Sequence, residues 1–161
     1  MLKLYRPLLD ELWFREKLLS DPATMEYNRA WGGSVPFPSD NWEKWYRLWL
    51  GSEDRFYRYL LDDDTGRFVG ECAFRFDSDR QIYLADIIVL AEERGKGFGR
   101  QGLRLLCSEA KRQGLTFLYD DIAADNTSTS LFLSEGFEEV SRTESNVTLR
   151  LDLRSKTDIA D

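Results

Sequence analysis

The chain has 161 residues, 42% of them hydrophobic and 14% aromatic, with a formal charge of −7. That is enough apolar material for one packed domain, and the acidic balance argues against a general nucleic-acid binder. There is no histidine, which excludes Ser-His-Asp and Cys-His catalysis and any His-ligated metal; no metal is expected.

The first residues, MLKLYRPLLDELWFREK, carry charges throughout and do not read as a signal peptide. No window approaches the ~18 consecutive apolar residues of a membrane helix. A cytoplasmic protein without membrane contact is the expectation. Leu8 to Leu19 spaces its apolar residues as Leu8/Leu9, Leu12/Trp13 and Leu18/Leu19, which predicts a short amphipathic helix. DPATMEYN follows, and then WGGSVPFPSD, whose Gly and Pro mark an ordered loop. Asp40 is placed to N-cap a helix over NWEKWYRLWL, where Trp42, Trp45 and Trp49 recur at helical spacing and read mostly as core.

Strands follow at RFYRYLL (55–61), FVGECAFRF (68–76) and IYLADIIVL (82–90), joined by turns at DDDTG and DSDRQ. A helix over 99–113 carries Leu103, Leu106, Cys107 and Ala110 on one face and stops at Gly114. LTFLYDDIA (115–123) is the next strand, Thr127 to Glu135 a short helix ended by Gly136, and FEEVSR with VTLRLDL a closing hairpin. Cys72 and Cys107 fall inside apolar segments and read as reduced core thiols. The whole is one mixed α/β domain over 1–154 with a polar tail over 155–161.

Chemistry concentrates in EERGKGFGRQGL, directly after IIVL. Arg94, Lys96, Arg100, Arg104, Lys111 and Arg112 face a single Glu109 there, a basic island in an acidic chain that points to an anionic ligand. The glycines fit two registers. Gly97, Gly99 and Gly102 make G-x-G-x-x-G, the dinucleotide pattern, with Asp120 and Asp121 downstream as ribose-binding acids. Arg94, Gly97 and Gly99 make R-x-x-G-x-G, a loop that turns its amides toward a pyrophosphate and opens into a helix. The first register wants its glycine immediately after the strand, whereas AEERGK intervenes here. It also wants a parallel sheet still to come, and too little chain remains. The second register is preferred.

In context, strand IIVL, loop RGKGFG, a helix, strand LTFLYDDIA and then ADNTSTSLFLSEGF resemble the GNAT superfamily of acyl-CoA-dependent N-acetyltransferases. The motif similarity spans roughly 68–140. The resemblance implies a central mixed, mostly antiparallel sheet of six to seven strands flanked by helices, with a splayed strand pair that binds coenzyme A. It implies acetyl-CoA as acetyl donor and a primary amine, small-molecule by preference, as acceptor, in a monomer or homodimer. Main-chain groups of Ile87, Ile88 and Val89 would pair with the pantetheine arm. Arg94, Gly95, Lys96, Gly97, Phe98 and Gly99, with Arg100 at the helix start, would hold the pyrophosphate, and Asn126 and Phe132 would complete the cofactor site. The family commonly places a Tyr where Phe132 stands, and Phe132 has no proton to give the leaving thiolate.

The remaining roles rest on residue chemistry. An alkyl ammonium, pKa near ~10.4, needs a proton acceptor. Asp86, inside an apolar strand, is the first candidate base and Glu71 the second. Tyr119 is a weak candidate acid. The thioester oxygen would meet a strand amide, that of Val89 or Ile88. Glu26, Tyr27, Trp31 and Tyr83 are expected around the amine, since an acidic, aromatic cleft suits a cation. A non-catalytic acyl-CoA-binding module of the same fold, a protein acetyltransferase and a nicotinamide-dependent oxidoreductase are the competing readings.

Overall fold

The structure, a computed structural model, describes residues 1–154; the polar tail expected over 155–161 lies outside the described residues. Seven strands form one sheet. They are β1 (Leu2–Tyr5), β2 (Arg55–Asp62), β3 (Arg67–Asp77), β4 (Ile82–Val89), β5 (Phe117–Ala123), β6 (Glu138–Arg142) and β7 (Asn146–Asp152). The order across the sheet is β1-β2-β3-β4-β5-β7-β6. Every neighbouring pair is antiparallel except β4 and β5. Four helices accompany it: α1 (Trp13–Ser20), α2 (Trp42–Gly51), α3 (Phe98–Arg112) and α4 (Thr129–Ser134).

The meander forms where alternation and turn residues predict it. Gly66 takes φ 70° between β2 and β3, and the Asp62 carboxylate accepts from the Asp64 amide and the Thr65 hydroxyl. Three N-terminal expectations need correction. The helix over Leu8–Leu19 is instead a 3-10 turn, Leu9–Glu11, followed by α1. The Glu11 carboxylate fixes that turn by accepting from the Leu8 amide and the Tyr5 hydroxyl, each at 2.8 Å. Helix α1 then buries Phe14, Leu18 and Leu19, while Trp13 stays half exposed. Asp40 does not cap α2; it sits within a 3-10 turn, Ser39–Asn41, and the cap position falls on Asn41. Strand β1 was not expected. Its four residues, too few to show a period, pair with β2 from Leu2↔Asp62 to Tyr5↔Tyr59.

The core lies on both faces of the sheet. On one, Leu103, Leu106 and Ala110 of α3 meet Leu60, Cys72, Phe74, Ala85, Val89 and Leu118. On the other, α1 and the tryptophans of α2 cover Tyr57, Tyr59, Ala73 and Ile88. Trp45 meets Tyr57 edge-on with ring centroids 4.7 Å apart. Each fully buried Leu or Phe contributes about 1.5–3 kcal/mol by leaving water. Both cysteines are free thiols; burial pushes Cys107 up to about 12 and Cys72 further, so neither is a thiolate at neutral pH. No helix among the described residues is long and apolar enough to cross a membrane.

Candidate active site

The parallel pair β4–β5 touches at a single register point, Leu84↔Tyr119. Beyond it the strands part, because β4 stays paired with β3 through Val89 and β5 stays paired with β7 through Ala123. The opening leads into a cleft of about 800 Å³. One wall is Asp86 to Val89 and the other Asp120 to Ala123. The loop before α3 and the start of α4 form the floor, and Glu26, Tyr27 and Trp31 overhang it.

Alternation decides which strand amides face the opening. The Leu90 amide donates to the Val69 carbonyl of β3 at 2.9 Å. The Ile88 carbonyl also points that way, since a Cβ on Gly70 would fall 2.2 Å from it. Ile88 therefore spends its main-chain groups on β3, and those of Ile87 and Val89 face the cleft. Of the two amides expected for the thioester oxygen, the geometry retains Val89 and replaces Ile88 with Ile87.

The loop is held from outside. Buried Glu93, 4% exposed, takes Arg67 at 2.7 Å and Lys96 at 2.8 Å. Lys96 is thus a strut under the loop and does not line the cleft, contrary to the expectation that it holds phosphate. Arg94 lines the cleft and donates to the Thr24 carbonyl at 2.9 Å, while the Thr24 hydroxyl accepts from the Ala91 amide. Gly95 and Gly97 take φ 80° and 85°, a conformation nearly closed to L side chains. Gly97 occupies the N-cap position of α3 and offers no capping side chain, so the first helical amides lie open to an anion. Gly99 and Arg100 also line the cleft, and Arg100 reaches Glu135 at 2.5 Å. Gly102 does not line it: a Cβ there would meet Leu60 at 2.9 Å and Ile87 at 3.0 Å. It is a packing glycine, which removes the third member of the dinucleotide pattern.

At the far side, the Asn126 side-chain oxygen accepts from the Ser128 amide at 2.9 Å and shapes the entry to α4. Asn126, Asp125 and Phe132 all line the cleft. Phe132 is 2% exposed and packs edge-on against Phe137.

The carboxylates separate into distinct environments. Asp86 is accessible to water yet enclosed by the cleft walls. That enclosure, then the charge of Glu71, pushes its carboxyl up to about 6, against the pull of Arg15, the Ile87 amide and Arg75. Asp120 rises well above the usual range, first by desolvation and then by the charges of Asp86 and Asp121. From sequence alone, Asp120 had a part only in the dinucleotide register, as a ribose-binding acid. Asp121 differs: against its partial burial, Arg80 and Thr148 hold it below the usual range. The Tyr27 phenol is raised by desolvation and then by Asp86, Glu71 and Asp120, which places it over the same carboxyls.

Three expected residues lie elsewhere. Glu71 is buried off the cleft, receives Arg15 at 2.5 and 2.6 Å and a hydrogen bond from the Tyr57 hydroxyl, and cannot meet an amine. Tyr83 meets Phe74 edge-on and Phe76 at a tilt, and Tyr119 lies beside Phe117 at the register point. Neither tyrosine lines the cleft. Glu26 and Trp31 do line it, with Glu26 paired to Arg29 at 2.9 Å. Among the described residues no group of acidic or cysteine side chains could hold a metal ion.

The chain matches the acetyltransferase (GNAT) family over residues 16–137 and belongs to it. The fold is shared with an N-acetyltransferase from Staphylococcus aureus Mu50, at 20% identity over 96% of this chain and 99% of that one, TM-score 0.77. Spermidine N-acetyltransferase from Vibrio cholerae, in complex with CoA and spermine, superposes with TM-score 0.80 at 18% identity, covering 94% and 95%. The protein yncA from Salmonella typhimurium, with its cofactor acetyl-CoA, gives 0.72 at 21% identity, covering 96% and 95%. No curated protein matches the chain in sequence.

Proposed function

We propose that this chain transfers an acetyl group from acetyl-CoA to the primary amine of a small molecule by direct attack. The observation that carries the reading is the strand splay itself: it opens a cleft with a glycine cradle on its floor and, at its throat, a carboxyl, Asp86, that has no ion-pair partner among the described residues. The cradle fits a pyrophosphate, because side chains are missing where φ is positive and the α3 amides are uncapped.

Acetyl-CoA brings the activated acyl group; the residues of the chain do the rest. The main chain of Ile87 and Val89 binds the pantetheine arm as an added strand, and the Val89 amide steadies the thioester oxygen. Tyr27, Trp31 and Glu26 receive a cation on an aromatic, acidic overhang. Asp86, ionised above about pH 6, accepts the proton of the incoming ammonium. A small acceptor is favoured because the overhang closes part of the cleft. Spermidine, the substrate named for the Vibrio cholerae enzyme, is the natural first probe.

The test is thiol release from acetyl-CoA with spermidine, a glutamate analogue, an aminoglycoside and a lysine-containing peptide. Release with one of the small amines and little with the peptide is the expected result. Preference for the peptide would shift the reading to protein acetylation. No release with any amine, despite CoA binding, would leave a non-catalytic acyl-CoA sensor.

A further inference from the structure

Phe132 is buried where the family commonly places a tyrosine, and it has no proton to give the leaving group. Tyr119, the candidate acid named from the sequence, does not line the cleft. A second carboxyl does. Asp120 is the first residue of β5 beyond the register point, and Asp86 is the second residue of β4 beyond it. The two therefore stand on opposite walls at the throat of the splay, within the same cleft. Strands at a register point run about 4.8 Å apart, so the gap between these walls has only begun to open.

We propose that Asp120 is the general acid that protonates the departing thiolate of coenzyme A, paired with Asp86 as base. This rests on the acetyltransferase reading of the cleft.

The groups that face the pair support a division of labour. Asp86 feels the Arg15–Glu71 pair and Arg75, and its charge in turn acts on the Tyr27 phenol. Among the described residues Asp120 has no cation beside it; Asp86 and Asp121 face it, and only the Asp121 amide favours its ionised form. As the acid of the pair, Asp120 would hold the one proton that the two carboxyls share. Asp120 thus carries the proton needed by the leaving group while Asp86 remains free to accept one.

The proton balance closes. The ammonium loses one proton to solvent through Asp86 and becomes a nucleophile. Its nitrogen bonds to the acetyl carbon and the carbon–sulfur bond breaks. The sulfur takes the proton of Asp120, and the nitrogen gives its second proton to Asp86. Transfer from Asp86 to Asp120 restores the starting state, and one proton in all is released per acetyl group.

Asp120→Asn and Asp120→Glu test this, with the fastest of the four acceptors above. The Asn variant should keep its CoA-induced rise in melting temperature, lose about 100-fold or more in kcat, and lose the alkaline limb of the pH profile. The Glu variant should recover part of both. An acceptor-free readout goes alongside: the infrared carbonyl band of a protonated carboxyl at pH 7 in the wild type should vanish in Asp120→Asn. An Asn variant within about threefold of wild type in kcat, with its alkaline limb intact, would overturn the assignment. So would persistence of the infrared band. A wild type that binds CoA but acetylates none of the amines would instead remove the acetyltransferase reading, and this inference with it.

Discussion

Asp86 pays for its position in stability. Its folded value, about 6, lies above the ordinary 3.8 of an aspartate. A carboxyl raised in this way favours the folded state below about pH 4 and loses that contribution as pH climbs through 6. Asp86→Asn should therefore melt higher than wild type at pH 8, and the gain should fade as pH falls from 6 toward 4. The same variant should lose about 10²–10⁴-fold in kcat/KM, and the acidic limb of the profile, centred near pH 6 in the wild type, should disappear. A matching loss of stability and activity would mean that Asp86 is a structural residue. Glu71, two pairs away, makes the contrast. Glu71→Gln leaves Arg15 without its anion beneath Trp45 and Tyr57, at a cost of about 3–5 kcal/mol. Replacing both partners, as Arg15→Met with Glu71→Leu, should restore most of that loss in chemical denaturation, and a double variant as weak as the single one would refute the ion-pair account.

The loop between β4 and α3 divides its glycines by task. Gly97 provides a backbone conformation that L residues enter at about 1–2 kcal/mol, at a point open to the cleft. Gly97→Ala should fold but bind CoA at least roughly tenfold more weakly. Gly102→Ala should do the reverse: its Cβ collides with Leu60, itself fully buried, for about 1–3 kcal/mol of overpacking, while CoA affinity holds. Titration calorimetry paired with melting curves separates the two; equal effects on both quantities would collapse the distinction. Sequence carried much of this element. The glycine loop, the helix after it and the strand that feeds it follow from spacing alone, since each is a local pattern. The role of Gly102 was hidden because packing against Leu60 joins segments far apart in the chain. Lys96 was misread for the same reason: its partner Glu93 is local, but the burial that makes Glu93 demand a cation comes from the fold. Asp120 figured in the sequence only as the ribose acid of the register set aside, because its place across from Asp86 depends on β5 lying beside β4.

Across the whole molecule, an acidic chain presents two arginines of its basic island, Arg94 and Arg100, on the floor of a cleft whose upper walls are acidic. That polarity fits an anionic donor at one end and a cationic acceptor at the other, and it makes binding of both sensitive to salt. Long-range architecture was legible where it was reached through the family resemblance, as with the splay, and not where only tertiary contacts decide, as with β1 and the 3-10 start of the N-terminal helix. The most direct measurement is thermal melting with acetyl-CoA, CoA, NAD and NADP, each at about 100 times a micromolar dissociation constant. Bound ligand at that excess adds about 2.7 kcal/mol, several degrees for a domain of this size. Acetyl-CoA and CoA should raise the melting temperature of an acetyl-CoA-binding cleft, and the dinucleotides should not. A rise with NAD or NADP alone, or with nothing at all, would contradict acetyl-CoA binding there.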